Sequence, residues 1–235
     1  MASYELWLVA ADWPDRIADR LWGYPSPFQP VFCRIIPPGY LYLHVWPDDI
    51  GFISTLLDAL LDTYPIDFTR VYAVGYSDGA FFSARLACEL SERITAIALV
   101  AGSMAARIGR NCRPQRPVPV IQLRGTEDTI VPSEGFPGYL STEAVTETWV
   151  KINGCHPAPV VTELPDRVED GTSVTLLAYQ HCRQDTEVQL FQIHGGGHTW
   201  PGSKGVKLES ILGRTSQDLD GTSLIWTFLQ AYSLP

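Results

Sequence analysis

Gly75-Tyr76-Ser77-Asp78-Gly79 sets a serine between two glycines, each two residues away. A serine hydroxyl is a weak nucleophile at neutral pH and needs a base, which in turn needs a group to orient it. Where this pattern joins a strand to a helix, the glycines permit a sharp turn that side chains would block, and the turn lifts the hydroxyl clear of the sheet. The same letters occur in ordinary glycine-rich loops, so context decides. Here Arg70-Val71-Tyr72-Ala73-Val74 is a short β-rich run before the pattern, and residues 79–90 are compatible with a helix after it. Ser77 is therefore the candidate nucleophile.

The partners must emerge at the same edge of the sheet. Asp128 lies in Gly125-Thr126-Glu127-Asp128, directly after a strand expected at residues 119–123, and this placement selects it over Glu127. A turn-capping role is the alternative for Asp128. His198 lies in His194-Gly195-Gly196-Gly197-His198-Thr199-Trp200, a loop after a strand expected at residues 188–193. Of the other histidines, His44 precedes the nucleophile, and His156 and His181 each adjoin a cysteine. His194 is the rival; it sits at the strand end, where a structural histidine is commoner, so His198 is taken as the base. Two patterns here are decoys. His194-Gly195-Gly196-Gly197 spells a lipase oxyanion element, but that element belongs before the nucleophile. His194 and His198 also have the spacing of helical metal ligands, but the glycines between them forbid a stable helix. No metal and no organic cofactor is expected.

The elements that must hold these residues follow from periodicity. Asp48 or Asp49 caps a helix with the stripe Ile50, Ile53, Leu57, Leu60 and Leu61, and Pro65 stops it. Residues 96–100 and 119–123 are continuous apolar runs closed by Gly102 and Gly125, as in strands covered on both faces. Ser141 opens a helix with Val145, Trp149 and Ile152 on one face, ended by Asn153-Gly154. Residues 174–179 and 188–193 are late strands, and the last helix is expected over about residues 217–232. Strands alternating with helices predict an α/β fold with a mostly parallel sheet flanked by helices. Residues 1–47 are rich in proline and aromatics with no clear period. They are taken as a divergent N-terminal segment of one domain, with the catalytic part at 48–235.

Composition narrows the functional classes. With 46% hydrophobic residues in a chain of 235, one large core can form. A formal net charge of -9, with lysines and arginines scattered, gives phosphates nothing to attract them, so no nucleic-acid partner is expected. The longest apolar stretches fall far short of the ~20 residues of a membrane span, and no membrane association is expected. Met1-Ala2-Ser3-Tyr4-Glu5 has no basic stretch and does not read as a secretory signal. Cys33, Cys88, Cys112, Cys155 and Cys182 include no C-x-x-C pair. Their odd number allows two disulfides with one spare thiol in an oxidising compartment, or five thiols in a reducing one. Nothing in the pattern marks the oligomeric state.

Several ordered motifs together carry a family resemblance. They are Asp48-Asp49-Ile50-Gly51-Phe52-Ile53, Ile66-Asp67 with Arg70-Val71-Tyr72, the Ser77 pentapeptide, Arg85-Leu86-Ala87-Cys88, Gly125-Thr126-Glu127-Asp128, Asn153-Gly154-Cys155, and Gly197-His198-Thr199-Trp200-Pro201-Gly202. From Asp48 to the C-terminus the chain resembles the polyhydroxybutyrate depolymerase and feruloyl esterase-like family of secreted α/β-hydrolases. The resemblance implies an α/β-hydrolase fold and a serine esterase acting on a small-molecule or polymeric carboxylic ester of hydroxyalkanoate, feruloyl or acetyl type. It makes Ser77 the nucleophile, Asp128 the orienting acid and His198 the base, with the Asp78 backbone N–H in the oxyanion hole and Tyr76 and Trp200 lining the substrate cleft. It also implies Cys88–Cys112 and Cys155–Cys182 disulfides, an unpaired Cys33, and an extracellular or periplasmic location.

The chain departs from that pattern in its first part. The family's strand ending in a His-Gly pair before the nucleophile has no match, because Leu43-His44-Val45 lies too close to Asp48-Asp49. Asp78 and Ala80 replace the usual Asn and Gly. The second oxyanion donor is therefore unassigned, and loss of one such donor costs ~10²–10³ in kcat. Two other readings share the fold: a hydrolase-like protein that binds a ligand near Trp200 without cleaving it, and a serine peptidase.

Overall fold

The computed structural model describes the backbone of residues 4–11 and all atoms of residues 48–204 and 209–235. In chain order its elements are β1 (Tyr4–Ala11), α1 (Asp49–Thr63), β2 (Ile66–Tyr76), α2 (Asp78–Glu89), β3 (Ala96–Val100), α3 (Ala106–Asn111) and β4 (Val120–Gly125). They continue with α4 (Thr142–Asn153), β5 (Val160–Glu163), β6 (Ser173–Tyr179), β7 (Val188–His194), α5 (Glu209–Leu212) and α6 (Gly221–Leu229). The strands form one sheet in the order β1-β2-β3-β4-β7-β6-β5. β1, β2, β3, β4 and β7 run parallel, and β6 and β5 add an antiparallel edge. The architecture is that of an α/β-hydrolase.

The central strands are apolar along their whole length because helices cover both faces. Every residue of β3 and β4 is buried. Ile97, Leu99 and Val120 pack with Leu57 of α1, Ala84 of α2 and Trp149 of α4 on one side. Ala98, Ile121, Leu123 and Phe191 pack with Ile225 and Leu229 of α6 on the other. The helix ends follow local chemistry. Asp48 Oδ1 accepts from Gly51 N at 2.8 Å, and Ser141 Oγ accepts from Ala144 N at 3.1 Å, each satisfying an amide that the helix itself leaves open. Two disulfides lock the helical layer: Cys88 at the end of α2 bonds Cys112 after α3, and Cys155 after α4 bonds Cys182 before β7. Cys33 and His44 lie outside the described residues.

Four elements differ from the sequence expectation. Residues 4–11, expected to belong to a segment without readable structure, form β1, which pairs in parallel with β2 so that Ala10 faces Gly75 and Ala11 faces Tyr76. The run Leu6-Trp7-Leu8-Val9-Ala10-Ala11 has no two-residue period, so only its pairing distinguishes it as a strand. The last helix is shorter than expected. Asp220 caps it through Ser223 N, while Gln217 N donates instead to Asp170 Oδ2 at 2.7 Å. β5, exposed along its length, and the one-and-a-half-turn α3 carry no apolar periodicity and were not anticipated.

Candidate active site

The nucleophile turn is built by close approach. A Cβ on Gly75 would lie 2.0 Å from the Gly79 carbonyl oxygen, so the strand can enter α2 this tightly only without a side chain there. Ser77 takes φ 55° and ψ -123°, a conformation costing ~1–3 kcal/mol for a non-glycine residue. Its amide donates to Val100 O at 3.0 Å, which ties the turn to the end of β3. Gly102, just beyond β3, closes the back of the turn: a Cβ there would be 2.4 Å from Ala80 Cβ and 2.6 Å from Ser77 O.

β4 and β7 deliver the other two residues to the same edge. Asp128 Oδ1 accepts from Ile130 N at 3.0 Å and Val131 N at 2.8 Å, which fixes the carboxylate in its own turn. Its Oδ2 is 2.9 Å from His198 Nδ1, and His198 Nε2 is 2.9 Å from Ser77 Oγ. An ionised Asp128 can only accept, so Nδ1 carries the proton and Nε2 is left to accept from the Ser77 hydroxyl. The residues are 5%, 4% and 4% exposed for Ser77, Asp128 and His198, so the chain of contacts is shielded from bulk water. The glycines before His198 let its loop press on β4: Gly197 N donates to Arg214 O at 2.9 Å, and the Gly196 and Gly197 carbonyls crowd Gly125.

The two rivals sit elsewhere. Glu127 pairs with Arg214 at 3.2 Å on the surface. His194 is exposed, with Nε2 2.8 Å from Thr175 Oγ1, which donates to Glu163 at 2.8 Å. Both line a cavity of about 570 Å³ with Asp166, Glu169 and Arg214, to which no triad residue contributes. Tyr76, expected to line the cleft, donates its hydroxyl to His198 O at 2.8 Å, and its ring centroid is 5.1 Å from the imidazole. Trp200 packs against the core on the α6 side, and its indole donates to Thr222 Oγ1 at 3.1 Å. Asp78 is the first residue of α2, next to Ser77.

One buried charge escaped the sequence reading. Arg124, in β4, is 1% exposed and donates to Thr142 Oγ1 at 3.1 Å, to Val131 O at 3.0 Å and to Gly102 O. Burial pushes its guanidinium down to about 10, against the pull of the Asp128 carboxylate. The expected strand stopped at Leu123, and the arginine just beyond it was the available signal. Among the described residues no group of histidine, cysteine or carboxylate side chains is arranged to hold a metal ion, and no helix is long and apolar enough to cross a membrane.

No family model matches the sequence. Individual relatives do. Over 199 residues, 80% of the chain, it is 28% identical to feruloyl esterase B of Piromyces equi, covering 32% of that protein. The chain is thus similar in sequence to a feruloyl esterase. It is also 27% identical over 199 residues to the putative esterase NocK of Nocardia uniformis subsp. tsuyamanensis, covering 78% of this chain and 58% of that one. The chain thus spans less than two thirds of the length of either relative. Among solved structures, an acetyl xylan esterase from Aspergillus awamori superposes with a TM-score of 0.49 at 15% identity, over 69% of this chain and 66% of that one.

Proposed function

We propose that the chain is a serine esterase that cleaves carboxylic esters through an acyl-enzyme on Ser77. The observation that carries this reading is the unbroken contact chain from Ser77 Oγ through His198 to Asp128, mounted on a strand-turn-helix elbow. His198 Nε2 takes the hydroxyl proton as Ser77 Oγ bonds to the ester carbonyl carbon, and Asp128 steadies the imidazolium that results. The carbonyl oxygen becomes an oxyanion, received by the Asp78 N–H at the positive end of α2. Collapse expels the alcohol with the proton from His198, and water, activated by the same imidazole, then releases the acid. Ala11, the last residue of β1, pairs with Tyr76 beside Ser77, which makes the main chain at that end of β1 our candidate for the second oxyanion donor.

The substrate class is a hydroxyalkanoate, feruloyl or acetyl ester, as the sequence motifs and the esterase relatives suggest, in small-molecule or polymeric form. Two disulfides support an extracellular or periplasmic setting. Tyr76 acts on the base rather than on substrate, since its hydroxyl is taken up by His198 O. The test is hydrolysis of p-nitrophenyl acetate, methyl ferulate and a hydroxybutyrate oligomer by the protein and by Ser77→Ala. The native protein should turn over at least one ester and react with a fluorophosphonate, and the variant should do neither. Equal rates in both proteins would exclude Ser77 as the nucleophile.

A further inference from the structure

We infer that Arg124 is a positioning residue of the triad, its guanidinium fork joining the loop that backs the nucleophile to the loop that bears the acid. The inference rests on the reading of Ser77, His198 and Asp128 as catalytic. Arg124 lies on the face of β4 that meets α4, where Gln122 donates to Thr146 Oγ1 at 2.9 Å and Arg124 Nε to Thr142 Oγ1 at 3.1 Å. Thr142 and Thr146 are four residues apart and share one face of α4, so the arginine stem is aimed and anchored before its tip makes any contact.

The tip then divides. Nη1 donates to Gly102 O and Nη2 to Val131 O at 3.0 Å. Gly102 is the residue packed against Ala80 and Ser77 O at the back of the elbow, and Val131 is the residue whose amide donates to Asp128 Oδ1 at 2.8 Å. One rigid planar group therefore bridges two loops that lie before and after β4 in the chain. It holds a carbonyl next to the nucleophile and a carbonyl next to the acid at a separation set by its own geometry. An apolar residue would fill this strand position without desolvating a charge, and it would leave both carbonyls buried without their donor. Burial lowers the guanidinium's affinity for its proton to about 10, which still leaves it cationic at neutral pH, facing the Asp128 carboxylate.

Lysine keeps the charge and most of the stem but cannot fork. The full-length Arg124→Lys variant is compared with the native protein for kcat, KM, fluorophosphonate labelling of Ser77, and thermal unfolding. A misplacement of ~1 Å costs up to ~10²-fold, so kcat and the labelling rate are expected to fall together by ~10–100-fold with KM changed by less than about twofold. A folded variant with a lower melting temperature but native kcat and labelling overturns the inference, because Arg124 would then serve stability alone. If Arg124→Lys does not fold, Thr142→Val removes only the anchor. It should lower kcat several-fold at constant KM, and an unchanged kcat there also overturns the inference. Failure of the esterase reading is separate: the native protein itself would then neither hydrolyse esters nor react with the probe.

Discussion

Gly125, at the end of the strand before Asp128, packs tightly against the loop that leads to His198, and Gly125→Ala tests whether that contact sets the proposed triad. The residue has no left-handed φ, so alanine suits its backbone and the effect reduces to one methyl group. That methyl would lie 2.3 Å from Gly196 O and 2.5 Å from Gly197 O, where ordinary contact begins near 3.4 Å. Both oxygens are main chain, immediately before His198, and cannot swing aside as a flexible side chain would. The loop must therefore move by about 1 Å, which lengthens the His198 contacts to Asp128 and Ser77 together. A displacement of that size costs ~10² in rate, or about 2.7 kcal/mol of transition-state stabilisation. The assay is steady-state hydrolysis of a p-nitrophenyl ester by purified, folded protein, with fluorophosphonate labelling as an independent measure of Ser77 reactivity. KM should change little, because the substrate still meets an unaltered elbow. A folded Gly125→Ala protein with kcat within about threefold of native would mean that the close approach does not transmit to the imidazole.

Other perturbations probe the supports around the triad. Tyr76→Phe removes the hydroxyl bonded to His198 O while keeping the ring against the imidazole; a neutral hydrogen bond is worth ~1 kcal/mol, so kcat should fall by roughly threefold to tenfold with KM unchanged, as measured by steady-state kinetics. Asp170 shows how the antiparallel edge is fastened to the region before α6. Burial opposes ionisation of its carboxyl, but hydrogen bonds from Thr172 and Gln217 outweigh it and hold the group below its usual range. The folded-state value is depressed, so the stabilisation is present above the unfolded value of ~3.9 and is lost as pH falls through the folded value. Melting curves should accordingly show Asp170→Asn less stable than native at pH 7, with the gap narrowing as pH falls below the unfolded value of ~3.9, and a gap that persists in strong acid would exclude this role for Asp170.

The helices and central strands were readable because each carries its own signal. The stripe from Ile50 to Leu61 predicts a helix wherever it folds, and residues 96–100 predict a strand that matches β3 to the residue. β1 was not readable, since an uninterrupted apolar run takes its character from the strand beside it. The pairing of Ala10 and Ala11 with Gly75 and Tyr76 is information held in β2, more than sixty residues away. Arg124 was missed for a related reason: a lone arginine after an apolar run reads as the end of a strand, and only the positions of Gly102, Val131 and Thr142 make it an interior residue.

From the sequence alone came Ser77, Asp128 and His198 as candidates, because the elbow glycines, the chain order and the position after each strand are local properties. Sequence position favours Asp128 over Glu127 and His198 over His194, but which side chains actually meet is a question of another kind. Neighbouring residues can differ completely in where their side chains end, and here one of each pair faces a buried partner while the other faces solvent or a hydroxyl at the sheet surface. That outcome depends on which carbonyls Gly125 can pack against and which loop Arg124 can reach. Those distances exist only once β2, β4 and β7 lie side by side.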